Sequence, residues 1–450
     1  MKSSTVSRVI LAAAMSATLA VPSPALAKKK APPPPPPAPV YVPSTPIDRF
    51  YSARKDAMLW MGSREAQVAL VELLRDSPID GFTRGPQLAT EIEAKIAAAQ
   101  GGDAAAAKVA DRAMSQALVD YVQSLYQPIA GMEYGDNWVR PRAPTGESIL
   151  ALAARAPVLA DHVKTVWNIN PIYAQLRQAA LAEAKLANGG QSSLLATNLS
   201  RARFKSPSDR YVVVDIVSQR LWMYQAGQPV GSMKVVVGKN EIDKMTGKNL
   251  QTPMIASVMY YTVHNPYWHV PDHLVKNIAK GVVSFGVNAI KGRYEVVSAW
   301  ANDAVVLDPN TVDWKAAAAG QIFPKLRQRP SGDNSMGKMK FPFVNSEGIF
   351  LHDTEHKEYF AKSDRSLSNG CVRLEQAARL GEWLNQGKLV APAGGTEAAV
   401  PFPQGVPVYI TYLTARPEDG KIAYAKDIYG WDRAPRQVAA AAAATTSSTQ

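Results

Sequence analysis

Cysteine is the scarcest residue type in this sequence, and Cys371 is the single example in 450 residues. One thiol cannot close a disulfide within the chain, which excludes the disulfide-stabilised folds of small secreted domains. Beyond the N-terminal segment, no run is apolar enough to span a membrane. The chain has no zinc-finger spacing, arginine-rich recognition helix or aromatic RNA-binding motif, so its net charge of +12 does not indicate nucleic-acid binding. That charge fits either an ordinary soluble basic protein or one attracted to an anionic polymer.

The N-terminal segment predicts export. Lys2 and Arg8 flank a polar start, residues 9–21 form an apolar run of small residues, and residues 25–27 supply an A-x-A cleavage site. We therefore predict a secretory signal peptide over residues 1–27; an uncleaved membrane anchor is the alternative, for which the apolar run is too short. Exported thiols are usually oxidised, so a cysteine without a partner favours a chemical role, with an unpaired core cysteine as the alternative.

The composition and hydrophobic pattern of the chain then change several times. Residues 28–47 form a proline-rich linker with an unbroken run from Pro32 to Pro37, which favours extended polyproline II. From 48 to 203, apolar residues recur at helical spacing, for example in 57–60, 68–74 and 113–125, and predict an all-α domain. Its tryptophans are expected in the core, with a sugar-binding platform as the alternative: Trp60, Trp138 and Trp167. Residues 437–450 predict a disordered tail.

From Arg210 onward, β-branched runs separated by short turns predict consecutive strands. The runs cover residues 211–217, 221–224, 230–237, 252–263 and 406–412. The chain is long enough for two domains, so these patterns predict an α+β protein with a helical region over 48–203 and a mostly β region over 204–436.

Cys371 and His352 form the candidate reactive pair. Residues 349–351 predict a short buried strand before the histidine, and Ser368-Asn369-Gly370 predicts a tight turn before the cysteine. Residues 372–384 are apolar at helical spacing, which would place the thiol near a helix start that favours thiolate. A nucleophile beside a base is the minimum for acyl transfer, whereas a buried small cysteine and a core histidine are the alternative.

The residues around this pair make the functional prediction more specific. His352-Asp353-Thr354, the loop 355–365 and the SxGCVR motif at 368–373 resemble the signature of YkuD-type L,D-transpeptidases of bacterial cell walls. The similarity is to the large subfamily with a helical scaffold domain in front of the catalytic domain. It implies an all-α scaffold domain at 48–203 and a mostly β, sandwich-like catalytic domain at 204–436 with a cap insertion at about 276–341.

Two further segments carry the resemblance. Residues 264–271 resemble the family's NPxWxVP segment, which implies that Trp268 lies beside the substrate cleft. Residues 328–330, with Asn334, Gly337, Lys340 and Phe341, resemble a cap over that cleft. We expect either a mobile lid that excludes water or a solvated loop.

Three histidines near this segment suggest a metal site, namely His264, His269 and His273. Pro266 and Pro271 break any helix that would bring them together, and no acidic ligand sits at motif spacing. We therefore predict no metal and no cofactor.

Each residue of these motifs also has a predicted role. Cys371 would attack an acyl carbonyl and His352 would take the thiol proton and return it to the leaving amine. Backbone N–H groups of Cys371 and Gly370, with Asn369 as a further donor, would hold the oxyanion, and Ser368 would orient the turn. Arg373 would bind a substrate carboxylate or brace the loop. Asp353 and Thr354 would fix the imidazole.

One position departs from the family pattern. Most members carry a histidine directly before the glycine of the cysteine motif, whereas this chain has Asn369. Asparagine cannot carry a proton at neutral pH, so any acid–base duty of that histidine is absent. We expect activity to survive, because His352 is intact. His356 has no counterpart in the family motif.

The resemblance implies a periplasmic enzyme of peptidoglycan biosynthesis that maintains cell shape by forming 3-3 cross-links. Its partners would be peptidoglycan stem peptides and the anionic cell wall, without nucleic acid and without a transmembrane span after signal cleavage. Two alternatives remain. One is an L,D-endopeptidase or carboxypeptidase that uses water at the same site. The other is a catalytically silent wall-binding scaffold.

Overall fold

The computed structural model describes residues 45–186 and 193–433, except residues 245, 302, 391–394 and 419. The predicted signal peptide, nearly all of the predicted linker and the predicted C-terminal tail lie outside the described residues. Within those residues, no helix combines the length and the apolar character that crossing a membrane requires.

The N-terminal part of the described chain is helical. Several of its helices begin at a side chain that accepts a hydrogen bond from the first turn: Thr45, Ser63, Asp103 and Thr145. The helices are α1 (Pro46–Ala53), α2 (Arg64–Asp76), α3 (Gly85–Ala99), α4 (Ala104–Ser124), α5 (Gly146–Arg155), α6 (Leu159–Thr165), α7 (Pro171–Leu186) and α8 (Ser193–Arg201), with a 3-10 turn at Ser77–Asp80 and a short strand β1 (Met132–Tyr134).

Helices α1 to α6 enclose a core of their own. Trp60 is fully buried there, but residues 57–60 lie in a loop, so the helix predicted for them is wrong. The buried carboxylate of Asp111 holds that loop instead, since it accepts the backbone N–H of Trp60 at 2.7 Å and those of both neighbouring residues. Trp138 is 45% exposed, so its predicted place in the core is also wrong.

The remaining helices, α7 and α8, belong to a different core. Tyr173, Leu176 and Leu199 pack in one cluster with the buried valines of the strands that follow. The side chain of Asn198 donates to Thr414 Oγ1 at 2.9 Å, and Arg201 pairs with Asp432 at 2.6 Å. Helices α7 and α8 therefore share the core of the strands, together with Ile79, Ile129, Met132 and Val139 from earlier in the chain.

The strands that follow form most of the second domain. Their bounds are β2 (Arg210–Asp215), β3 (Arg220–Gln225), β4 (Gln228–Gly238), β5 (Met254–His264), β6 (Trp268–His269), β7 (Tyr294–Val297), β8 (Val306–Leu307), β9 (Leu326–Gln328), β10 (Met339–Phe341), β11 (Leu351–His352), β12 (Ser366–Ser368), β13 (Val372–Leu374), β14 (Ala398–Thr411), β15 (Ala415–Glu418) and β16 (Lys421–Tyr424). The five runs of β-branched residues all fall on strands.

The main sheet closes on itself. Its order is β5-β10-β11-β13-β4-β3-β2-β14, and β14 pairs again with β5, while β1 and β12 attach at the side. Closure comes from the two long strands, since β14 runs antiparallel to β5 from Ala398↔His264 to Ile410↔Ile255. The ring of strands differs from the sandwich-like core expected from the resemblance, because these two strands are long enough to join both ends of the sheet.

The predicted cap region is ordered and has its own small core. It contains α9 (Asp272–Phe285), α10 (Trp314–Ala319), the sheet β6-β9-β7-β8 and two 3-10 turns, Val287–Ala289 and Pro309–Thr311. Val275, Trp314 and Leu326 are buried together inside it. The cap thus runs from β6 to β9, starting before the predicted residue 276, and β10 belongs to the main sheet instead. A further 3-10 turn (Lys357–Ala361) and α11 (Ala377–Leu384) lie outside the cap.

A buried ion pair joins the helical elements. Asp80 is 4% exposed and Arg177 only 2%, and their side chains lie 2.8 Å apart. The hydroxyls of Tyr121 and Tyr173 donate to the same carboxylate at 2.8 and 2.7 Å. Because α4, α7 and the turn before α3 all meet at Asp80, this carboxylate ties the two helical clusters together.

We expect Asp80→Asn to lower the free energy of unfolding by about 3–5 kcal/mol, because the substitution leaves Arg177 buried without its counter-charge. The measurement is urea unfolding of the full chain. Glu93→Gln is the matched control: it breaks the exposed pair between Glu93 and Arg75, which contributes about 0–1 kcal/mol. Equal losses in the two variants would contradict the role assigned to Asp80.

Candidate active site

Two short parallel strands place the candidate pair. In the pairing of β11 with β13, Leu351 is opposite Val372 and His352 is opposite Arg373. The N–H of Val372 donates to the carbonyl of Phe350 at 3.1 Å, so the pairing extends to the residues just before these strands. Cys371 therefore lies opposite Phe350, beside the strand that carries His352 and two positions away from it in register.

The alternation of side chains along each strand then decides which of them face the core and which face the cavity. Leu351 and Val372 are fully buried in the main core, and successive side chains of a strand point to opposite faces. His352, Cys371 and Arg373 accordingly face away from the core and line one cavity of about 370 Å³. The structure thus brings together the thiol and the imidazole that the sequence singled out.

His352 is held as a neutral base. It is 4% exposed, and burial, followed by the charge of Arg373, lowers its pKa to about 3. Its Nδ1 is buried without a hydrogen-bond partner among the described residues, and its ring lies edge-on to that of Phe350 at 6.0 Å. At neutral pH the imidazole is uncharged, which is the form that accepts a proton.

Cys371 is half-buried, and its electrostatics differ from the prediction. Burial raises the pKa of its thiol above the ordinary value, while the Phe350 N–H and the charges of Lys248, Lys340 and Arg373 act in the opposite direction. The predicted helix over 372–384 is wrong at its start, since Val372–Leu374 form β13 and the helix begins only at Ala377. No helix N-terminus therefore favours the thiolate, and the resting pair is a neutral thiol beside a neutral imidazole.

The turn before the cysteine is fixed by its own hydrogen bonds. Ser368 Oγ donates to the carbonyl of Cys371 at 2.6 Å and accepts the Gly370 N–H at 3.2 Å. Thr252 Oγ1 donates to the carbonyl of Gly370 at 2.7 Å. Gly370 has φ of 119°, a conformation that favours glycine, and a Cβ there would lie 3.0 Å from Ile349 Cδ1. Ser368 thus orients the turn, as its position in the motif suggested.

This arrangement changes the expected oxyanion donors. The Gly370 N–H is already engaged by Ser368, so it is not free to bind a substrate oxygen. The backbone N–H groups of Cys371 and Asn369 have no acceptor among the described residues, and both residues line the cavity. Of the three predicted donors, the N–H groups of Cys371 and Asn369 are therefore the ones without an acceptor among the described residues.

Asp353 and Thr354 do not hold the imidazole with their side chains. The Asp353 carboxylate accepts the Lys338 N–H at 3.0 Å and pairs with Lys357 Nζ at 2.6 Å. Thr354 Oγ1 accepts the His356 N–H at 3.2 Å. Both side chains therefore fix the loops on either side of β11, and His352 is positioned by its strand instead.

Three cations surround the reactive pair. Arg373 and Lys340 make no ion pair with a carboxylate among the described residues, and Arg373 Nε is buried without a partner. Lys340 is opposite His352 in the pairing of β10 with β11, and its Nζ lies 4.3 Å from the centre of the Phe350 ring. Lys248 lines the same cavity from a loop. Arg373 thus lines the cavity without a carboxylate partner among the described residues, and its guanidinium lies 5.6 Å from the centre of the Tyr359 ring.

The bracing role belongs to Arg365, which the sequence interpretation missed. Its guanidinium donates to the carbonyls of Val235 and Gln219 at 3.0 Å each, and to that of Lys362 at 2.8 Å. The sequence interpretation also missed the charge that Lys340 places beside the reactive pair. Lys340 lies opposite His352, and a correct prediction of this strand pairing could have revealed it.

Trp268 lies in the wall of the cavity, as the resemblance implied. It belongs to β6 of the cap and is joined there by Trp300, which makes an edge contact with His269 at 4.9 Å. His264, His269 and His273 do not converge: the described part of the chain contains no group of three or more His, Cys, Asp or Glu residues arranged to hold a metal. Burial lowers the pKa of all three.

Comparisons with known proteins assign two domain families along the chain. Residues 209–410 match the profile of the YkuD L,D-transpeptidase catalytic domain, and residues 45–179 match that of a scaffold domain. A curated protein of Haemophilus influenzae, named "Putative L,D-transpeptidase", is 28% identical over 404 residues, covering 86% of this chain and 78% of that protein.

Two solved L,D-transpeptidase structures are also similar. A variant of the Enterococcus faecium enzyme is 13% identical, with a TM-score of 0.21, and the match covers 46% of this chain and 52% of that one. The chain therefore spans about half the length of that structure. The protein from Xylanimonas cellulosilytica is 15% identical with a TM-score of 0.23, covering 52% of this chain and 78% of that one.

A thiol and an imidazole that face one cavity from paired strands of a mostly β domain define a cysteine-dependent enzyme. More particularly, the chain carries a YkuD L,D-transpeptidase catalytic domain at 209–410, preceded by a scaffold domain at 45–179. Members of this family are cell-wall enzymes that act on peptidoglycan, generally outside the cytoplasm.

Alkylation of Cys371 by iodoacetamide is expected to keep rising as the pH passes 9, because burial raises the thiol pKa above its ordinary value of 9.0 and only the thiolate reacts. Lys340→Gln should move the profile to still higher pH, since a nearby positive charge is lost. Lys338→Gln, at an exposed position two residues away, is the control and should leave it unchanged. A rate plateau below pH 8 would instead indicate a preformed thiolate–imidazolium pair.

Gly370→Ala is expected to slow acylation of Cys371 by a carbapenem by up to about 100-fold, because the strained turn moves the thiol relative to its oxyanion donors. The reaction is followed by mass spectrometry of the intact protein. Gly387→Ala is the matched control, as no atom lies within 4 Å of its added Cβ and its φ is not positive. Equal acylation rates in both variants would contradict the importance of the turn.

Proposed function

We propose that the protein is a peptidoglycan L,D-transpeptidase that forms 3-3 cross-links through an acyl-enzyme on Cys371. The observation that carries this proposal is the parallel pairing of β11 with β13, which sets His352 and Cys371 side by side on one cavity wall. The exported, periplasmic location predicted from the sequence belongs to the same proposal.

In the first half-reaction, the Cys371 sulfur attacks the carbonyl of the L-centre of meso-diaminopimelate in a tetrapeptide stem. His352 takes the thiol proton as the new carbon–sulfur bond forms, because its low pKa keeps it neutral and able to accept. The N–H groups of Cys371 and Asn369 stabilise the oxyanion. The amide bond then breaks, His352 returns the proton to the departing nitrogen, and D-alanine leaves.

In the second half-reaction, the side-chain amine of another stem attacks the thioester carbonyl. His352 accepts the proton lost by that amine, the carbon–sulfur bond breaks, and the thiol is regenerated. The amide formed replaces the amide broken in the first step, so no nucleotide or other energy source is required. Neither half-reaction requires proton transfer by residue 369. An asparagine at this position, where most of the family has a histidine, is therefore compatible with turnover.

The charge of the cavity supports a substrate of this kind. Lys248, Lys340 and Arg373 line the cavity with Glu347 as its one acidic residue. Peptidoglycan stems carry several carboxylates, and a guanidinium without a protein counter-ion binds a carboxylate through paired hydrogen bonds. The indole of Trp268, held on the cap, covers the same space and limits the access of water.

The decisive test is incubation of residues 28–450 with purified disaccharide-tetrapeptide, followed by mass spectrometry. We expect a dimer that has lost one alanine, and its absence with Cys371→Ala. His352→Ala should reduce the rate by about 100- to 10,000-fold, the usual contribution of a general base.

Other products would redirect the assignment. Monomer trimmed to tripeptide would show that water replaces the acceptor amine, which defines a hydrolase at the same site. No product, together with no acylation of Cys371 by a carbapenem, would leave only a wall-binding scaffold.

A further inference from the structure

A second groove lies at the junction between the helical elements and the strands, and it shares no lining residue with the catalytic cavity. It consists of three cavities of about 320, 560 and 410 Å³. The first and second share Ile169, Lys205 and Ser206 as lining residues. The second and third share Gln175, Tyr224 and Pro229, so the three are continuous, and we call them the junction groove.

One end of the junction groove is strongly basic. Four cationic side chains and no carboxylate line it: Arg140, Arg142, Arg203 and Lys205. None of the four makes an ion pair with a carboxylate within the described ranges. Arg203 Nε is buried without a hydrogen-bond partner, and Lys205 Nζ donates only to the hydroxyl of Tyr126 at 2.7 Å. Unpaired cations gathered in one cavity are a site for an anionic ligand.

An exposed aromatic ring belongs to the same end. Trp138 is 45% exposed and lines the basic cavity, although most of a tryptophan side chain is normally buried. Its N–H backbone group is fixed by Asp136 at 2.7 Å, which holds the chain that carries the ring in place. A fixed, solvent-facing indole beside cations offers a flat apolar surface to a ligand that also carries negative charge.

The middle of the groove has a different character. Gln175 and Gln178 lie one turn apart on α7, are exposed, and make no hydrogen bond among the described residues, and Gln228 on β4 faces the same cavity. Side-chain amides both donate and accept, as the hydroxyl and acetamido groups of sugars do. Asp209 lines this stretch as well, which disfavours a ligand with a charge at every step.

We propose that the junction groove binds a strand of peptidoglycan remote from the catalytic cavity. The neutral amino-sugar chain lies along the amide-lined middle, and the carboxylates of a peptide stem reach the basic end beside Trp138. A nucleic acid would need unopposed cations along the whole groove, whereas Asp215 and Glu418 line the third cavity beside Arg220 and Arg416, and only the basic end has cations without carboxylates. This inference rests on the proposed function, since it takes the same polymer as ligand.

The groove gives the enzyme a hold on the wall that does not depend on the reacting stem. A strand bound here keeps neighbouring stems at high local concentration near the catalytic cavity, so that weak binding at each site adds up to strong retention. It also assigns the attraction of this basic chain to an anionic wall to a specific site, instead of to the net charge of the whole surface.

The test measures binding in the Cys371→Ala background, so that turnover plays no part. Soluble glycan strands that carry tetrapeptide stems are titrated into the full chain by calorimetry, beside strands stripped of stems and free tetrapeptide. We expect the intact strands to bind most tightly. Trp138→Ala, and separately Arg140→Gln combined with Arg142→Gln, should each weaken binding about tenfold, with weaker binding at high salt in the parent.

The matched control is Lys95→Gln combined with Lys108→Gln, which removes the same charge from exposed positions on α3 and α4 that line no part of the groove. It should bind as the parent does. Thermal unfolding of every variant checks that the fold is retained. Groove variants that bind like this control would overturn the proposal, and so would free tetrapeptide that binds as tightly as intact strands.

Vesicles of phosphatidylglycerol and phosphatidylcholine provide a further arm. Binding to them that the groove substitutions abolish would assign the basic end to a membrane surface and overturn the proposal.

Failure of the junction groove proposal is distinguishable from failure of the proposed function. Dimer formation with unaltered strand binding in the groove variants would refute only the groove, whereas groove-dependent binding without any product would refute only the transpeptidase.

Discussion

The active site depends on one short piece of β-structure, the parallel pairing of β11 with β13. Neither strand is stable by itself, because each is only two or three residues long. They are held because β10 flanks β11 on one side and β4 flanks β13 on the other, inside a ring of strands that closes through β5 and β14. The fully buried Leu351 and Val372 anchor the pair in the core, and this fixes His352 and Cys371 on the opposite face.

The electrostatics of the site follow from that burial. An imidazole and a thiol in a poorly solvated cavity both resist charge, which lowers the pKa of His352 and raises that of Cys371. The surrounding lysines and arginine oppose the increase at the thiol but add to the decrease at the imidazole. Burial thus favours the uncharged form of both groups.

The two regions around the catalytic sheet contribute in different ways. The cap has its own core and carries Trp268 into the wall of the cavity, so it can hold its shape while covering the substrate. The helical region is divided: α1 to α6 form a separate cluster, whereas α7 and α8 complete the core of the sheet. That division creates the junction groove, which lies where α7 meets β3 and β4.

The sequence by itself determined the family resemblance, the strand runs and the candidate reactive pair, because β-branched runs and the motif around Cys371 are local signals. It also indicated Trp268 and the turn at Ser368. Only the tertiary structure decided that residues 372–374 form a strand, since the apolar pattern over 372–384 fits a helix until β4 offers a pairing edge. Likewise the contact of Asp353 with the Lys338 N–H, the exposure of Trp138 and the burial that raises the pKa of Cys371 arise from contacts between residues far apart in the chain. Hydrogen-bond partners, burial and closure of the sheet depend on such contacts, and no local pattern encodes them.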